Sequence, residues 1–253
     1  MFNTFQIIAA SVLAVLGIGI GPLSCRILNK IPAAWLCDYD EEPSEELKNG
    51  VRFKMKPTGL FISLAAAVVF SCTALSVGIS AELPVALILY CFLLLISASD
   101  AKYTIIPDQF TIAAAILSLV FAVIDFLTDK SFITTWYSPL LGAVCGGAIL
   151  MLLDLFSTLI FKKAGFGFGD VKLMAALGLM FGLKYILVLL VIASFAAAIN
   201  FLVVIFAGKA KKGIYLPMGP YICLAAALTV ILQPLFQPVF DMYKLVLQMQ
   251  VLP

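Results

Sequence analysis

Histidine is absent from this chain of 253 residues, and charged residues make up only 12% of it. Without histidine, catalysis by Ser–His or Cys–His pairs and metal sites built on imidazole are excluded. The six cysteines form no Cys-x-x-Cys pair, so neither a structural zinc site nor a disulfide framework is expected. Any chemistry must therefore rest on Asp, Glu, Lys, Ser, Thr or Tyr side chains, and no metal site is predicted.

The scarcity of charge is matched by an excess of apolar residues, at 63% of the chain and a mean hydropathy of +1.13. Uncharged runs recur close to the length of about 20 residues that spans a bilayer. They predict an all-α integral membrane protein with about eight transmembrane helices. These are residues 3–23, 59–80, 83–100, 109–127, 137–161, 169–183, 185–207 and 215–236. No Lys or Arg precedes Arg26, so the first segment is expected to be a retained helix rather than a cleaved signal peptide.

The basic residues predict how this bundle lies in the membrane. With the N-terminus outside, the cytosolic loops are residues 24–58, 101–108, 162–172 and 208–214. All 16 Lys and Arg residues except Lys130, Lys184 and Lys244 fall in these loops, as expected for loops on the cytosolic side. Because topology accounts for the positive charge, no basic stripe is left over and no nucleic-acid partner is expected.

The chain is predicted to fall into two parts, residues 1–58 with the first helix and a short charged cytosolic loop, and residues 59–253 with the membrane domain. Within the loop, residues 37–56 hold six acids followed by four basic residues. The segment is too short and too polar for a core of its own, and Ser44 is expected to cap a short helix. It is either a solvated loop or a surface that meets a charged substrate or partner.

Carboxylates in or beside membrane spans are candidate functional groups. Four of them, Glu82, Asp125, Asp129 and Asp241, are expected at outer helix ends or in the tail, where water solvates them. Asp154 lies inside the fifth predicted helix, and we expect it to pair structurally, with Lys162 or a polar group such as Asn200.

Three further aspartates, Asp100, Asp108 and Asp170, are all predicted at the cytosolic face. Asp108 follows Pro107 and is expected to cap the next helix. Asp170 ends the stretch "GFGFGD" and opens a hydrophobic segment. The glycines Gly165, Gly167 and Gly169 would allow positive φ or a close backbone approach. The stretch is either a flexible turn or a watery notch with Asp170 at its edge.

Two aspartates that face one notch indicate a specific chemistry. Close carboxylates cannot both ionise easily, so the pair shares a proton. The ionised carboxylate takes a proton from water while the protonated one donates to a carbonyl oxygen, which is general acid–base attack on an amide.

The stretches "DAKYTIIPD" and "GFGFGDVKL" resemble the type IV prepilin peptidases, membrane aspartic proteases of the GxGD type. "YLPMGPYICLAA", residues 215–226, is similar to the segment that opens the last helix of that family, so the resemblance covers roughly residues 84–235. It implies that residues 59–253 form a peptidase domain with Asp100 and Asp170 as the catalytic pair. It also implies supporting roles for Asp108, Lys172, Gly167 and Gly169. The implied substrates are prepilins or pseudopilins with a basic leader and a hydrophobic helix, cleaved at the cytosolic face of the bacterial inner membrane.

The N-terminal part departs from the family pattern. The stretch "GPLSCRILNKIP" stands where the family often has a Gly-Ser-Phe-Leu-Asn start, and a short acidic loop replaces a domain with two Cys-x-x-Cys pairs. Many family members also methylate the new N-terminus with S-adenosylmethionine, an activity tied to this portion. No cofactor is expected for cleavage, and S-adenosylmethionine only if that second activity is retained.

Two other classes are compatible with the composition. An ion-coupled transporter could use the same carboxylates as relays, although they cluster at one face and no repeat is visible. A purely structural membrane scaffold is the third reading. A continuous polar path across the membrane would favour the transporter, and two carboxylates able to share a water would favour the protease.

Overall fold

The computed structural model describes residues 4–37, 42–49, 51–128, 132–133, 135–162, 165–208 and 217–251. The regular elements in these ranges are helices. They are α1 (Thr4–Lys30), α2 (Glu45–Asn49), α3 (Leu60–Val77), α4 (Glu82–Tyr103), α5 (Asp108–Leu127), α6 (Ser138–Phe161), α7 (Phe168–Phe206), α8 (Gly219–Ile231) and α9 (Gln233–Val251). Single helical turns of other types cover Ala33–Leu36 and Met55–Gly59.

The helices form a membrane bundle. Six helical stretches are long and apolar enough to cross a bilayer, and a seventh if Gly219–Ile231 and Gln233–Met242, bent by 69°, count as one span. Large apolar side chains such as Phe61, Val144 and Phe206 are exposed on the surface, which suits a lipid environment. The predicted all-α membrane class is confirmed.

Helix α7 explains why seven spans are counted where eight transmembrane helices were predicted, because it corresponds to two of the predicted helices. Its 39 residues include Gly182, whose φ of 58° and ψ of −177° are not helical. A Cβ at Gly146 of α6 would lie 3.0 Å from both Met174 O and Ile186 Cγ1. Twelve residues of continuous helix would separate these two residues by about 18 Å. The chain therefore reverses at Gly182, and α7 has two arms, residues 168–181 and 183–206, close to the predicted boundary.

The charged loop after α1 is hydrogen-bonded to the end of α1 near its own C-terminal end, at Phe53. Asn29 and Phe53 exchange two hydrogen bonds, of 2.9 Å from Asn29 Nδ2 to Phe53 O and 2.8 Å from Phe53 N to Asn29 Oδ1. Phe53 is buried in the main core cluster. The short helix after Ser44 forms as predicted, and Glu45 in it is solvated. Asp38 to Glu41 lie outside the described residues, and the division at residue 58 stays a prediction.

Two carboxylates predicted to be solvated are instead buried. Glu82 and Asp125 are each 1% exposed. Thr128 Oγ1 donates to Glu82 Oε1 at 2.5 Å, and Ile133 N donates to Asp125 Oδ2 at 2.8 Å. The expectation was wrong because these groups line a polar cavity of about 190 Å³ at helix ends packed against one another. Asp241 is exposed, as expected, and Asp129 lies outside the described residues.

Candidate active site

Asp100 lies in the last turn of α4 and is 4% exposed. The helix ends because Thr104 takes a left-handed conformation, with φ of 56°. The chain then runs non-helically to Pro107, and α5 begins at Asp108. Since Pro107 takes the N-cap position, Asp108 is the first helical residue rather than the predicted cap.

Asp170 lies in the first turn of α7 and is 3% exposed. Its side chain and backbone both bond to Gly167. Gly167 N donates to Asp170 Oδ2 at 3.1 Å, and Asp170 N donates to Gly167 O at 3.0 Å. This reciprocal pattern satisfies two amides at the start of the helix and fixes one oxygen of the carboxylate.

All six site residues predicted from the sequence line one cavity of about 280 Å³. They are Asp100, Asp108, Gly167, Gly169, Asp170 and Lys172. Trp35 and Cys37, from the loop after α1, also line it, so the N-terminal part of the chain contributes to this site. The two aspartates, 70 positions apart in the sequence, thus face the same space.

Gly219 is not among the predicted site residues, yet it holds the carboxylate of Asp100. Gly219 N, at the start of α8, donates to Asp100 Oδ2 at 2.8 Å. A Cβ at Gly219 would lie 2.7 Å from the same oxygen. The glycine–proline pair at 219–220 in the quoted family segment was the only signal for this contact.

The other oxygen of Asp170, Oδ1, is buried and has no hydrogen-bond partner in the described part of the chain. A buried polar atom without a partner is costly and uncommon in folded proteins. Oδ1 of Asp170 is therefore the oxygen of this carboxylate whose hydrogen-bonding capacity is still unused. Each aspartate has one oxygen held by a backbone amide.

Lys172 and Asp108 form an ion pair at the rim of the cavity. Lys172 Nζ lies 2.9 Å and 3.0 Å from the two oxygens of Asp108, and 4.9 Å from the ring centroid of Phe168. The two side chains are about one-third exposed. The pair ties the start of α5 to the first turn of α7, and so holds the two aspartate-bearing segments together.

Close packing explains two of the three glycines before Asp170, Gly165 and Gly169. Among the described residues, the glycines with positive φ are Gly78, Gly182 and Gly208. None of them lies in "GFGFGD", so positive φ does not explain the glycines of this stretch. A Cβ at Gly165 would lie 2.7 Å from Ser157 Oγ, and one at Gly169 would lie 3.1 Å from Ile106 Cβ.

Asp154 pairs with the backbone of the glycine segment. Its Oδ1 accepts hydrogen bonds from Gly165 N at 2.8 Å and Phe166 N at 3.0 Å. Asp154 thus has a structural partner, as predicted, but the partner is neither Lys162 nor Asn200. Asn200 Nδ2 bonds instead to the hydroxyl of Tyr221. The sequence showed an aspartate inside a helix but not that the following loop folds back over it.

The acidic and cysteine side chains of the described residues form no metal site. Within the described ranges, no three Cys, Asp or Glu side chains come close enough together to hold a metal ion. The donor set around the cavity is two aspartates, an ion pair and backbone amides, which is suited to proton transfer.

Comparison with known proteins decides the family. The family model described as "Type IV leader peptidase family" matches residues 87–202, which include Asp100, Asp108, Asp170 and Lys172. "Leader peptidase HopD" of Escherichia coli is 30% identical over 149 residues, which cover 57% of this chain and 90% of that protein. The chain belongs to the type IV leader peptidase family. The resemblance stated from the sequence is confirmed.

Other relatives within the type IV leader peptidase family are longer. The "Prepilin leader peptidase/N-methyltransferase" of Xanthomonas campestris pv. campestris is 33% identical over 140 residues, 55% of this chain and 47% of that protein. The protein of the same name from Neisseria gonorrhoeae is 33% identical over 159 residues, 63% of this chain and 52% of that protein. The chain thus spans about half the length of these two curated relatives. No solved structure matches it.

Proposed function

We propose that this protein is a membrane-embedded aspartic endopeptidase that removes the leader from prepilin-like proteins. The observation that carries the proposal is the cavity that Asp100 and Asp170 both line, together with the buried Oδ1 of Asp170, which has no hydrogen-bond partner among the described residues. Membership of the type IV leader peptidase family supports the same reaction. This family membership favours a peptidase over the ion-coupled transporter that the composition also allows.

The proposed reaction uses the two carboxylates and one water molecule. The ionised aspartate takes a proton from water as its oxygen attacks the scissile carbonyl carbon, and the protonated aspartate donates to the carbonyl oxygen. When the C–N bond breaks, the leaving amine takes a proton and the carboxyl group of the leader forms. One proton stays shared by the pair at the end of the cycle, as at its start.

The test is cleavage of a purified prepilin by Asp100→Asn and Asp170→Asn. Asparagine keeps the shape of the side chain but cannot exchange the proton, so each variant should lose about 10²-fold or more in rate. Asp241→Asn is the matched control, because Asp241 is exposed and outside the cavity. Thermal unfolding in detergent checks that all three variants are folded. Substantial cleavage by Asp100→Asn or Asp170→Asn would contradict the assignment of these two aspartates as the catalytic pair.

The proposed chemistry needs no metal and no cofactor for cleavage. A chelator, and the absence of S-adenosylmethionine, should both leave the cleavage rate unchanged. The relatives named N-methyltransferase raise the question of a second activity in this shorter chain. Mass measurement of the new N-terminus, with and without S-adenosylmethionine, answers that question separately from cleavage.

The hydrophobic helix of the substrate would lie in a groove beside the site. This groove, of about 500 Å³, runs between α5 and the first arm of α7. It shares Asp108 and Lys172 with the aspartate cavity. Its walls include Ala115, Ala143 and Ala175, and small residues let a membrane helix approach closely. A helix in this groove would present its cytosolic end to the aspartates.

A bulky side chain in the groove should slow cleavage only of substrates that carry the hydrophobic helix. Ala115→Phe should slow cleavage of full-length prepilin but not of a soluble peptide that contains only the leader and the junction. Ala198→Phe, at an exposed position on the second arm of α7, is the control. Equal effects on both substrates would exclude the groove as the helix site.

A further inference from the structure

Asp154 connects helix α6 to the turn that carries Asp170. It lies half-buried within α6, and its Oδ1 accepts hydrogen bonds from two successive backbone amides, those of Gly165 and Phe166. Hydrogen bonds from amides to a carboxylate are stronger than those between neutral groups. The first residues of the glycine turn are therefore held by a charged acceptor on a regular helix.

A second contact fixes the same part of the turn. Ser157, three residues after Asp154, lies where a side chain at Gly165 would be, 2.7 Å from the Cβ position. Phe166 packs against the main core cluster. The entry of the turn is thus restrained by its hydrogen bonds, by steric fit and by apolar packing.

Only a short path leads from this anchor to the catalytic carboxylate. Gly167 follows Phe166 directly, and its amide is the group that holds Oδ2 of Asp170. A shift of Gly165 and Phe166 is passed through one peptide unit to this amide, because bond lengths and peptide planarity leave little slack. The position of Asp170 in the cavity therefore depends on an acceptor 16 residues earlier in the chain.

We propose that Asp154 is a positioning residue for Asp170, acting through the backbone of the glycine turn. It does not line the aspartate cavity, so its role is mechanical rather than chemical. The effect on cleavage rests on the proposed peptidase function, whereas the anchoring of the turn does not. The two parts are therefore measured by different experiments.

The anchor is tested by amide-proton exchange of Gly165 and Phe166, using NMR of selectively ¹⁵N-labelled protein in detergent. Asp154→Ala removes the acceptor and should speed exchange of both amides by about tenfold or more. Asp154→Asn keeps an oxygen in the same place and should retain most of the protection. Unchanged exchange in Asp154→Ala overturns the proposal, whether or not the protein cleaves prepilin.

The effect on Asp170 is tested by the kinetics of the same variants. Asp154→Ala should lower kcat by about tenfold to a hundredfold, the size expected for a displaced catalytic group. Its KM should change by less than about twofold, and Asp154→Asn should restore most of kcat. Leu150→Ala, which opens a cavity at a buried position on the same helix, controls for general loss of stability. Faster exchange with an unchanged kcat would overturn the positioning role.

Discussion

At the scale of single residues, the site is built from carboxylates held by backbone amides. The pairs are Asp100 with Gly219 N and Asp170 with Gly167 N. The amide of Gly219 can come this close because glycine has no side chain in the way. The absence of a side chain at Gly219 therefore helps to set the position of the Asp100 carboxylate.

Gly219→Ala tests this dependence directly. The added methyl would lie 2.7 Å from Asp100 Oδ2, so either the carboxylate or the start of α8 must move. We expect kcat to fall by about tenfold to a hundredfold, with the protein still folded. Gly19→Ala is the control, since nothing lies within 4 Å of its Cβ position, and it should cleave normally. Equal rates for both variants would contradict the proposed role of Gly219.

At the scale of elements, the turn between α6 and α7 leaves less room for a side chain at Gly165 than at Gly169. A Cβ at Gly165 would lie 2.7 Å from Ser157 Oγ, whereas one at Gly169 would lie 3.1 Å from Ile106 Cβ. Gly165 is the glycine farthest from Asp170 in the sequence. Distance along the chain does not predict this packing, because Ser157 of helix α6 lies against the start of the turn.

Gly165→Ala should therefore be strongly impaired, and a second substitution should restore it. The added methyl clashes with Ser157, so Ser157→Gly in the same chain removes both atoms that it meets. We expect cleavage to fall by about tenfold or more in the single variant and to recover most of that loss in the double variant. Initial rates at equal membrane abundance measure this. A double variant no better than Gly165→Ala would show that the clash is not the cause.

The same elements show what a sequence can and cannot predict. The starts of α4, α5 and α6 fall within one residue of the predicted ones, because uncharged runs ending at Pro or charged residues define a membrane helix locally. Asp100 and Asp170 could be predicted as a pair because the stretches that contain them resemble family motifs, and both line one cavity. The contact of Gly219 with Asp100 spans 119 positions, and no local pattern contains it. The burial of Glu82 likewise depends on which helix ends meet.

At the scale of the whole molecule, polar groups gather at two opposite ends. Helix α4 has Glu82 in its first turn and Asp100 in its last. Eighteen residues of helix separate them by about 27 Å, close to the thickness of the hydrocarbon core. One end, here called the aspartate end, holds the cavity lined by Asp100 and Asp170. The other, the Glu82 end, holds the cavity of Glu82 and Asp125.

The proposed function requires that the aspartate end face the cytosol. The test places a single cysteine at each end, in a background where the six native cysteines are replaced. Glu45→Cys lies in the loop beside the aspartate end and Trp136→Cys lies at the Glu82 end, and both positions are exposed. With a membrane-impermeant maleimide, inverted vesicles should label Glu45→Cys, and right-side-out vesicles should label Trp136→Cys. The basic residues of the predicted cytosolic loops favour this outcome. The reverse pattern would place the aspartates at the face where no prepilin leader is present, and the proposed cleavage could not occur there.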